Sequence, residues 1–187
     1  MKERTDWQIV QDTLDDIENY KYIVERYEHR LLLYIKRILY INNEDAQDIL
    51  QEVFIKAYRN LNSYNPKYKF SNWIYRITHN ESVNFLRKNK NLRKNIPNDP
   101  NIDIFETVPS HIDIEKESIE ESDKDEILSV ISKLDKKYKD VLILKYLEEK
   151  DYNEISEILH ISSGTVGSLI SRGKIKLKNL LEKYGKD

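Results

Sequence analysis

The chain has 187 residues, of which 39% are hydrophobic and 34% are charged, and its net charge is −2. This composition predicts one globular domain or two small ones. The chain as a whole is not basic, so its net charge does not indicate nucleic-acid binding. The absence of cysteine excludes disulfides and thiolate zinc sites. No signal-peptide core and no membrane-length apolar run occur, so the sequence predicts a cytoplasmic protein without membrane insertion.

Charge is distributed unevenly along the chain. Residues 1–95 contain 17 Lys and Arg against 13 Asp and Glu, residues 96–126 contain 2 against 11, and residues 127–187 contain 12 against 9. The acidic middle also holds three of the four prolines, which is typical of a linker. Glycine is rare and alternating patterns are scarce, so we expect an all-α protein. Its two helical units would span residues 1–95 and 122–187, joined by an acidic flexible linker at 96–121.

The first informative helix is predicted from Glu44 to Arg59. Apolar residues recur on one side of it, whereas Asp45, Asp48 and Glu52 fall on another side with Gln51 beside them. Carboxylate-bridged metal sites in bundles use a Glu-x-x-His pair from each of two helices, whereas the chain contains one such pair, Glu157 and His160, outside this helix. The acidic face is therefore interpreted as a docking surface or as plain solvated surface.

The second informative helix is predicted over "FSNWIYRITHNESVNFLRK", residues 70–88. Helical spacing places Trp73, Arg76, Asn80, Val83 and Arg87 on one face. An indole, two guanidiniums and an amide are unusual on a solvated face, and they offer stacking, phosphate contact and base-edge hydrogen bonding. Taken alone, Trp73 would more often be a half-buried core aromatic. The two histidines of this half, His29 and His79, are expected to be ordinary surface residues.

The C-terminal unit has the pattern of a helix-turn-helix. Asp151 and Glu154 form a predicted capping box, residues 160–162 break the helix, and Ser162 or Ser163 can cap the next one. The first turns of a second helix face base edges in such motifs. The groove-facing positions here are Ser163, Thr165, Gly167, Ser168, Ser171 and Arg172. Three lysines that follow, Lys174, Lys176 and Lys178, are available for phosphates. A helical hairpin that binds nothing remains the alternative.

Three segments together resemble the extracytoplasmic-function sigma factors of bacteria, the small two-domain sigma factors. They are "DAQDILQEVFIKAYRNLNSY", "KFSNWIYRITHN" and the C-terminal stretch from "LDKKYKDVL" to "SRGKIKL". The resemblance covers essentially the whole chain, in the family's order of helices, linker and helix-turn-helix. It implies an all-α fold with a region 2 bundle and a region 4 helix-turn-helix.

The resemblance also implies partners. RNA polymerase core would bind through the clamp coiled coil of its largest subunit and the flap of its second-largest subunit, and promoter DNA would bind as duplex and as single strand. An anti-sigma factor is a further partner that the family admits. The acidic positions Asp45, Asp48, Gln51 and Glu52 match the core-binding helix.

Promoter contacts are implied for both units. Region 2 would capture the melted −10 strand through Tyr64, Phe70, Trp73, Arg76, Asn80, Arg87 and Lys88. Region 4 would contact the −35 element through Ser162, Ser163, Thr165, Ser168, Ser171, Arg172 and Lys174. The chain departs from the family pattern in this second set, because Gly167 and Leu169 stand where basic residues are common and His160 stands where glycine is common.

These observations predict a promoter-specificity subunit with no catalysis, cofactor or metal of its own. The chain shows no ligand set, no nucleophile paired with a base and no phosphate-binding glycine loop. A conventional helix-turn-helix regulator, binding duplex DNA without being a polymerase subunit, is the second hypothesis. The segment "DILQEVF" and the face from Trp73 to Arg87 discriminate between the two, because a regulator needs neither.

Overall fold

The computed structural model describes residues 4–89 and 129–184, and every regular element in these ranges is a helix. The N-terminal bundle consists of α1 (Asp6–Asp15), α2 (Lys21–Leu39), α3 (Asn43–Arg59) and α4 (Phe70–Lys88), with short 3₁₀-helices at Ile17–Tyr20 and Leu61–Ser63. The C-terminal unit contains helical residues 129–132 followed by α5 (Lys136–Tyr146), α6 (Tyr152–Leu159) and α7 (Ser163–Tyr184). The all-α prediction is confirmed, whereas the predicted linker at 96–121 lies entirely outside the described residues.

Local capping explains where several helices begin. Thr5 and Gln8 form a capping box at α1, and the side chain of Asn42 accepts a hydrogen bond from the backbone N–H of Asp45 at α3. The predicted capping box of Asp151 and Glu154 opens α6. Each cap satisfies backbone donors that a helix amino terminus leaves without partners.

The helices of the N-terminal bundle pack around one apolar core. α4 packs against both α2 and α3, and α1 packs against α2. Leu31, Tyr34, Ile35, Val53 and Ile74 are all fully buried there. Each of these helices therefore has one face buried in the core of the bundle.

The two units share a continuous buried core in this structure. α6 packs on α4, and α5 packs on α2. Within the C-terminal unit, α7 packs on α5 and α6 through Val166 and Ile170. The outer side of the first half of α4 is thus covered by the C-terminal unit, which the sequence pattern did not predict.

Gly173 permits the close approach of α7 to α5. A Cβ atom added at Gly173 would lie 3.2 Å from Cδ1 and 3.3 Å from Cγ of Leu142. We expect Gly173→Ala to destabilise the protein by about 1 kcal/mol, because overpacking of about 1–3 kcal/mol exceeds the helix-propensity gain of up to about 1 kcal/mol. Urea unfolding followed by circular dichroism measures the change.

Gly167→Ala is the matched control in the same helix. A Cβ atom there would lie 3.6 Å from the ring of Tyr152, an ordinary contact. Alanine at this position should raise the stability through helix propensity alone. Equal effects of the two substitutions would contradict the packing role of Gly173.

Candidate nucleic-acid interface and docking face

The acidic face of α3 lies on the surface of the bundle. Asp48, Gln51 and Glu52 are exposed, and the opposite side of the helix is buried through Ala46, Ile49, Leu50 and Val53. Within residues 4–89 and 129–184, no ion pair joins Asp48 or Glu52 to a cation. Their negative charge is therefore available to an external partner.

Asp45 differs from the other three acidic-face positions. It is half-buried, and its carboxylate accepts a hydrogen bond from Nδ2 of Asn42 at 3.1 Å. A carboxylate in the first turn also interacts favourably with the positive end of the helix dipole. The structure thus gives Asp45 a local role at the start of α3.

Two exposed apolar residues extend the acidic face towards the carboxyl end of α3. Ile55 and Tyr58 are about two-fifths exposed, at 43% and 40%. Tyr58 packs edge-on against Tyr20 with 5.2 Å between ring centroids. The sequence reasoning missed both residues, although Ile55 lies seven positions after Asp48 and hence on the same face.

An aromatic cluster surrounds the start of α4. Trp73 lies 5.3 Å from Phe70 and 5.7 Å from Tyr64 between ring centroids, and Tyr27 lies 5.5 Å from Phe70. Trp73 is 8% exposed and Phe70 is 2% exposed. The expectation that Trp73 stands on an exposed face is therefore wrong, and Phe70 is no open pocket wall, because both rings pack into the bundle core. Tyr64 is half-buried at the edge of the cluster.

The remaining polar residues of the predicted α4 face are accessible. Arg76, Asn80, Arg87 and Lys88 are exposed, and Val83 between them is half-buried. These four residues form a stripe along one side of α4, which we call the α4 stripe. Two guanidiniums, an ammonium and an amide are suited to phosphates and a base edge, as the sequence predicted.

A cavity of about 500 Å³ lies where the α4 stripe meets the helix-turn-helix. Tyr64, Tyr68, Trp73 and Arg76 line it from the bundle. Glu157, His160 and Ser162 line it from the C-terminal unit. The cavity thus brings residues predicted for −10 contacts next to a residue predicted for −35 contacts.

The helix-turn-helix has the predicted break between α6 and α7. His160 ends α6 in the left-handed conformation with φ 57° and ψ 45°, which explains why glycine also suits this position. Ser162 caps α7, its Oγ accepting from the backbone N–H of Thr165 at 3.1 Å. The predicted −35 residues are exposed: Ser162, Ser163, Thr165, Ser168, Ser171, Arg172 and Lys174. The hydroxyl of Ser168 donates to the carbonyl of Gly164 at 3.0 Å.

His79 is buried, so the expectation of an ordinary surface histidine is wrong for it, whereas His29 is exposed. Nδ1 of His79 lies 3.1 Å from the hydroxyl of Tyr34, and Nε2 lies 3.7 Å from Oδ2 of Asp140 on α5. Burial lowers the pKa of His79 to about 4, and burial raises the pKa of Asp140 to about 6. The imidazole is therefore neutral near pH 7 and belongs to the packing between the units.

Two further features are absent from residues 4–89 and 129–184. No group of three or more His, Cys, Asp or Glu residues there is arranged to hold a metal ion. None of the helices in those ranges combines the length and apolar character that crossing a membrane requires.

Family models match both halves of the chain. The sigma-70 region 2 model matches residues 23–92, and the sigma-70 region 4 model matches residues 124–177. The ECF RNA polymerase sigma factor SigW of Bacillus subtilis is 33% identical over 163 residues, which cover 85% of this chain and 87% of that protein. The ECF RNA polymerase sigma-E factor of Haemophilus influenzae is 28% identical and covers 89% of each chain.

Solved structures show the same fold. CnrH in complex with the cytosolic domain of CnrY superposes with a TM-score of 0.67 at 19% identity, covering 94% of this chain and 95% of that one. RpoE from Bartonella quintana, in complex with the anti-sigma factor NepR, gives 0.68 at 17% identity, covering 88% and 98%. The region 2 match disfavours a conventional helix-turn-helix regulator, which would have no use for that bundle.

Proposed function

The chain belongs to the extracytoplasmic-function sigma factors, which direct RNA polymerase to promoters, and from this premise we propose how its surfaces divide that work. Residues 1–95 bind polymerase core and the −10 element, residues 122–187 bind the −35 element, and residues 96–121 connect them. The observation that carries the proposal is the presence of two exposed polar faces on adjacent helices, acidic on α3 and basic on α4.

The acidic face of α3 binds the largest-subunit clamp. Asp48, Gln51 and Glu52 supply charge and hydrogen-bonding groups without an internal partner among the described residues. Ile55 and Tyr58 add apolar area beside them, and buried apolar area supplies much of the affinity in protein interfaces. Asp45 contributes by fixing the start of α3.

The α4 stripe binds the melted −10 strand. Arg76, Arg87 and Lys88 contact phosphates, and the amide of Asn80 reads a base edge. Tyr64 and the exposed Tyr68 stand at the cavity, where an unstacked base can lie against an aromatic ring. The buried rings of Phe70 and Trp73 hold this surface in shape.

The exposed start of α7 reads the −35 duplex. Hydroxyl groups dominate this surface, with Arg172 and Lys174 as its cations, so shape and hydroxyl contacts carry more of the recognition than in a cation-rich helix. The flap of the second-largest subunit binds the same unit.

The chain acts in the cytoplasm and performs no catalysis of its own. An anti-sigma factor is a further partner, which is supported by the complex of RpoE from Bartonella quintana with the anti-sigma factor NepR. Run-off transcription with purified core polymerase on a promoter panel tests the function. Failure of the chain to direct initiation from any promoter would contradict it.

Reversing the charge of the acidic face should weaken core binding. We expect Asp48→Lys combined with Glu52→Lys to lower the affinity for core polymerase about tenfold, because two exposed charges then repel a basic partner. Fluorescence anisotropy of labelled protein titrated with core polymerase measures this change.

The matched control is the double variant Glu25→Lys and Glu28→Lys on exposed positions of α2, which alters net charge equally. Only the α3 variant should lose affinity. Equal loss in both variants would show that net charge, and not the acidic face, determines binding.

A further inference from the structure

The indole of Trp7 is exposed at the amino end of α1. Trp7 is 41% exposed, whereas Trp73, the other tryptophan of the chain, is 8% exposed. The sigma-70 region 2 model begins to match at residue 23, after α1, so the family match by itself gives this side chain no role. Tryptophan is enriched where proteins meet their partners, because its large ring system is mostly apolar and has one polar edge. Trp7 is therefore a candidate contact residue.

Several contacts hold the start of α1 in one position. Oδ1 of Asp6 lies 2.7 Å from Nη1 of Arg26 on α2, and Oδ2 accepts a hydrogen bond from the hydroxyl of Tyr27 at 2.7 Å. Thr5 and Gln8 form the capping box at the same end of the helix. The backbone next to Asp6 is thus fixed before any partner arrives, which lowers the entropy lost on binding. The pairing with Arg26 also balances the carboxylate of Asp6, which would otherwise repel a phosphate.

The fixed indole lies beside the aromatic cluster at the start of α4. The ring centroids of Trp7 and Tyr64 are 6.1 Å apart, and the two ring planes are tilted by 55°. Tyr64 in turn contacts Trp73 at 5.7 Å, and its hydroxyl donates to the carbonyl of Tyr68 at 2.7 Å. Tyr64 also lines the cavity together with Tyr68 and Arg76. Trp7 therefore extends the aromatic surface proposed for the −10 strand beyond the rim of that cavity.

We propose that Trp7 is a second nucleobase contact for the melted promoter strand, with its exposed indole stacking on the base next to the one at Tyr64. This inference rests on the proposed function, because it extends the surface that binds the −10 strand. A single strand can place successive bases on successive aromatic side chains while nearby cations follow its backbone, and Arg76 supplies such a cation at the cavity. Stacking of this kind accepts any base. Trp7 thus adds affinity for the open strand and little preference for its sequence.

Three substitutions separate stacking on DNA from simple packing against Tyr64. Trp7→Phe keeps an aromatic face, Trp7→Leu keeps apolar contact without such a face, and Trp7→Ala keeps neither. Stacking predicts that only phenylalanine retains the DNA contact, whereas packing predicts that leucine retains it as well. Leu14→Ala is the matched control, because Leu14 is 43% exposed and lies seven positions later on the same side of α1.

The probe is a promoter that run-off transcription shows to be active, prepared as a fluorescein-labelled fork whose non-template −10 strand is unpaired. Holoenzyme assembled from the full chain and purified core polymerase is titrated into it, and anisotropy is recorded. We expect Trp7→Ala and Trp7→Leu to weaken binding about tenfold, equivalent to about 1.4 kcal/mol, and Trp7→Phe to stay within about threefold of the parent. Leu14→Ala should bind as the parent does. Binding like that of the parent by Trp7→Ala or Trp7→Leu would overturn the proposal.

Affinity for core polymerase is measured separately for each variant, because poor assembly of the holoenzyme would imitate a lost DNA contact. Labelled chains titrated with core polymerase should give the parent's affinity for all three substitutions of Trp7. A loss of core binding as large as the loss of fork binding would overturn the DNA contact.

Fluorescence of 2-aminopurine reports the stacked base directly. This adenine analogue replaces each unpaired base of the fork in turn, and its emission falls when an aromatic ring stacks on it. At one position we expect low emission with the parent holoenzyme, higher emission with Trp7→Ala and Trp7→Leu, and low emission again with Trp7→Phe. Emission that Trp7→Ala leaves unchanged at every position would overturn the stacking contact.

Run-off transcription separates this inference from the proposed function. A parent chain that directs no initiation with core polymerase contradicts the function itself. A parent chain that directs initiation, with a Trp7→Ala variant whose fork binding and 2-aminopurine emission are unchanged, contradicts only the role of Trp7.

Discussion

Trp73→Ala should lower the free energy of unfolding by about 3–5 kcal/mol, the usual cost of truncating a core aromatic. The indole is 8% exposed and packs against Phe70 and Tyr64, so its removal leaves a cavity in the bundle core. Urea unfolding followed by far-ultraviolet circular dichroism measures the loss. Promoter opening by this variant should fall as a consequence of instability.

Trp7→Ala is the matched control for this prediction. Trp7 is 41% exposed and also contacts Tyr64, with 6.1 Å between ring centroids. Its removal should cost less than the removal of Trp73, because about two-fifths of Trp7 is already in contact with water in the folded protein. If Trp73→Ala unfolded like the parent chain but failed to open promoters, the stacking role predicted from helical spacing would be correct after all.

Asn80→Ala should lower promoter opening by roughly ten- to a hundredfold while leaving stability unchanged. The side chain is exposed on the α4 stripe, so it has little packing to lose. A bidentate amide contact with a base edge contributes about 1–3 kcal/mol of discrimination. Permanganate footprinting of the −10 region, run with core polymerase, measures the fraction of opened promoter.

The control for Asn80 is Asn153→Ala, an exposed asparagine on α6 away from the stripe. It should open promoters as the parent chain does. A pre-melted promoter should rescue Asn80→Ala in part if duplex opening is the impaired step, and little if base reading is impaired. Normal opening by Asn80→Ala on every −10 sequence tried would show that this amide reads no base.

Local sequence patterns predicted the helices and caps well. The capping box of Asp151 and Glu154 and the break at residues 160–162 are both present, and α3 begins one residue before the predicted Glu44. These features depend on neighbours within four residues, so the sequence contains the information directly. The exposure of Asp48 and Glu52 followed from helical spacing in the same way.

Long-range packing explains what the sequence did not reveal. Trp73 is buried because Tyr64 from the preceding loop covers it and Phe70 packs beside it. His79 is buried because Tyr34 of α2 and Asp140 of α5 meet its ring, 45 and 61 positions away in sequence. Helical spacing identifies which residues share a face, but it cannot say which other element covers that face.

The crowding around α4 has an evolutionary consequence. This helix packs against α2, α3 and α6, and even Thr78 and Ser82 are buried, with their hydroxyls donating to backbone carbonyls. Since proteins have little stability to spare, most substitutions along α4 would be removed by selection for folding before any change in DNA contact mattered. Under the proposed function, inherited variation in −10 preference is confined to a few outward positions such as Arg76, Asn80 and Arg87. Descendants of this chain would acquire new target genes through changes at those positions, or through the freer surface of α7.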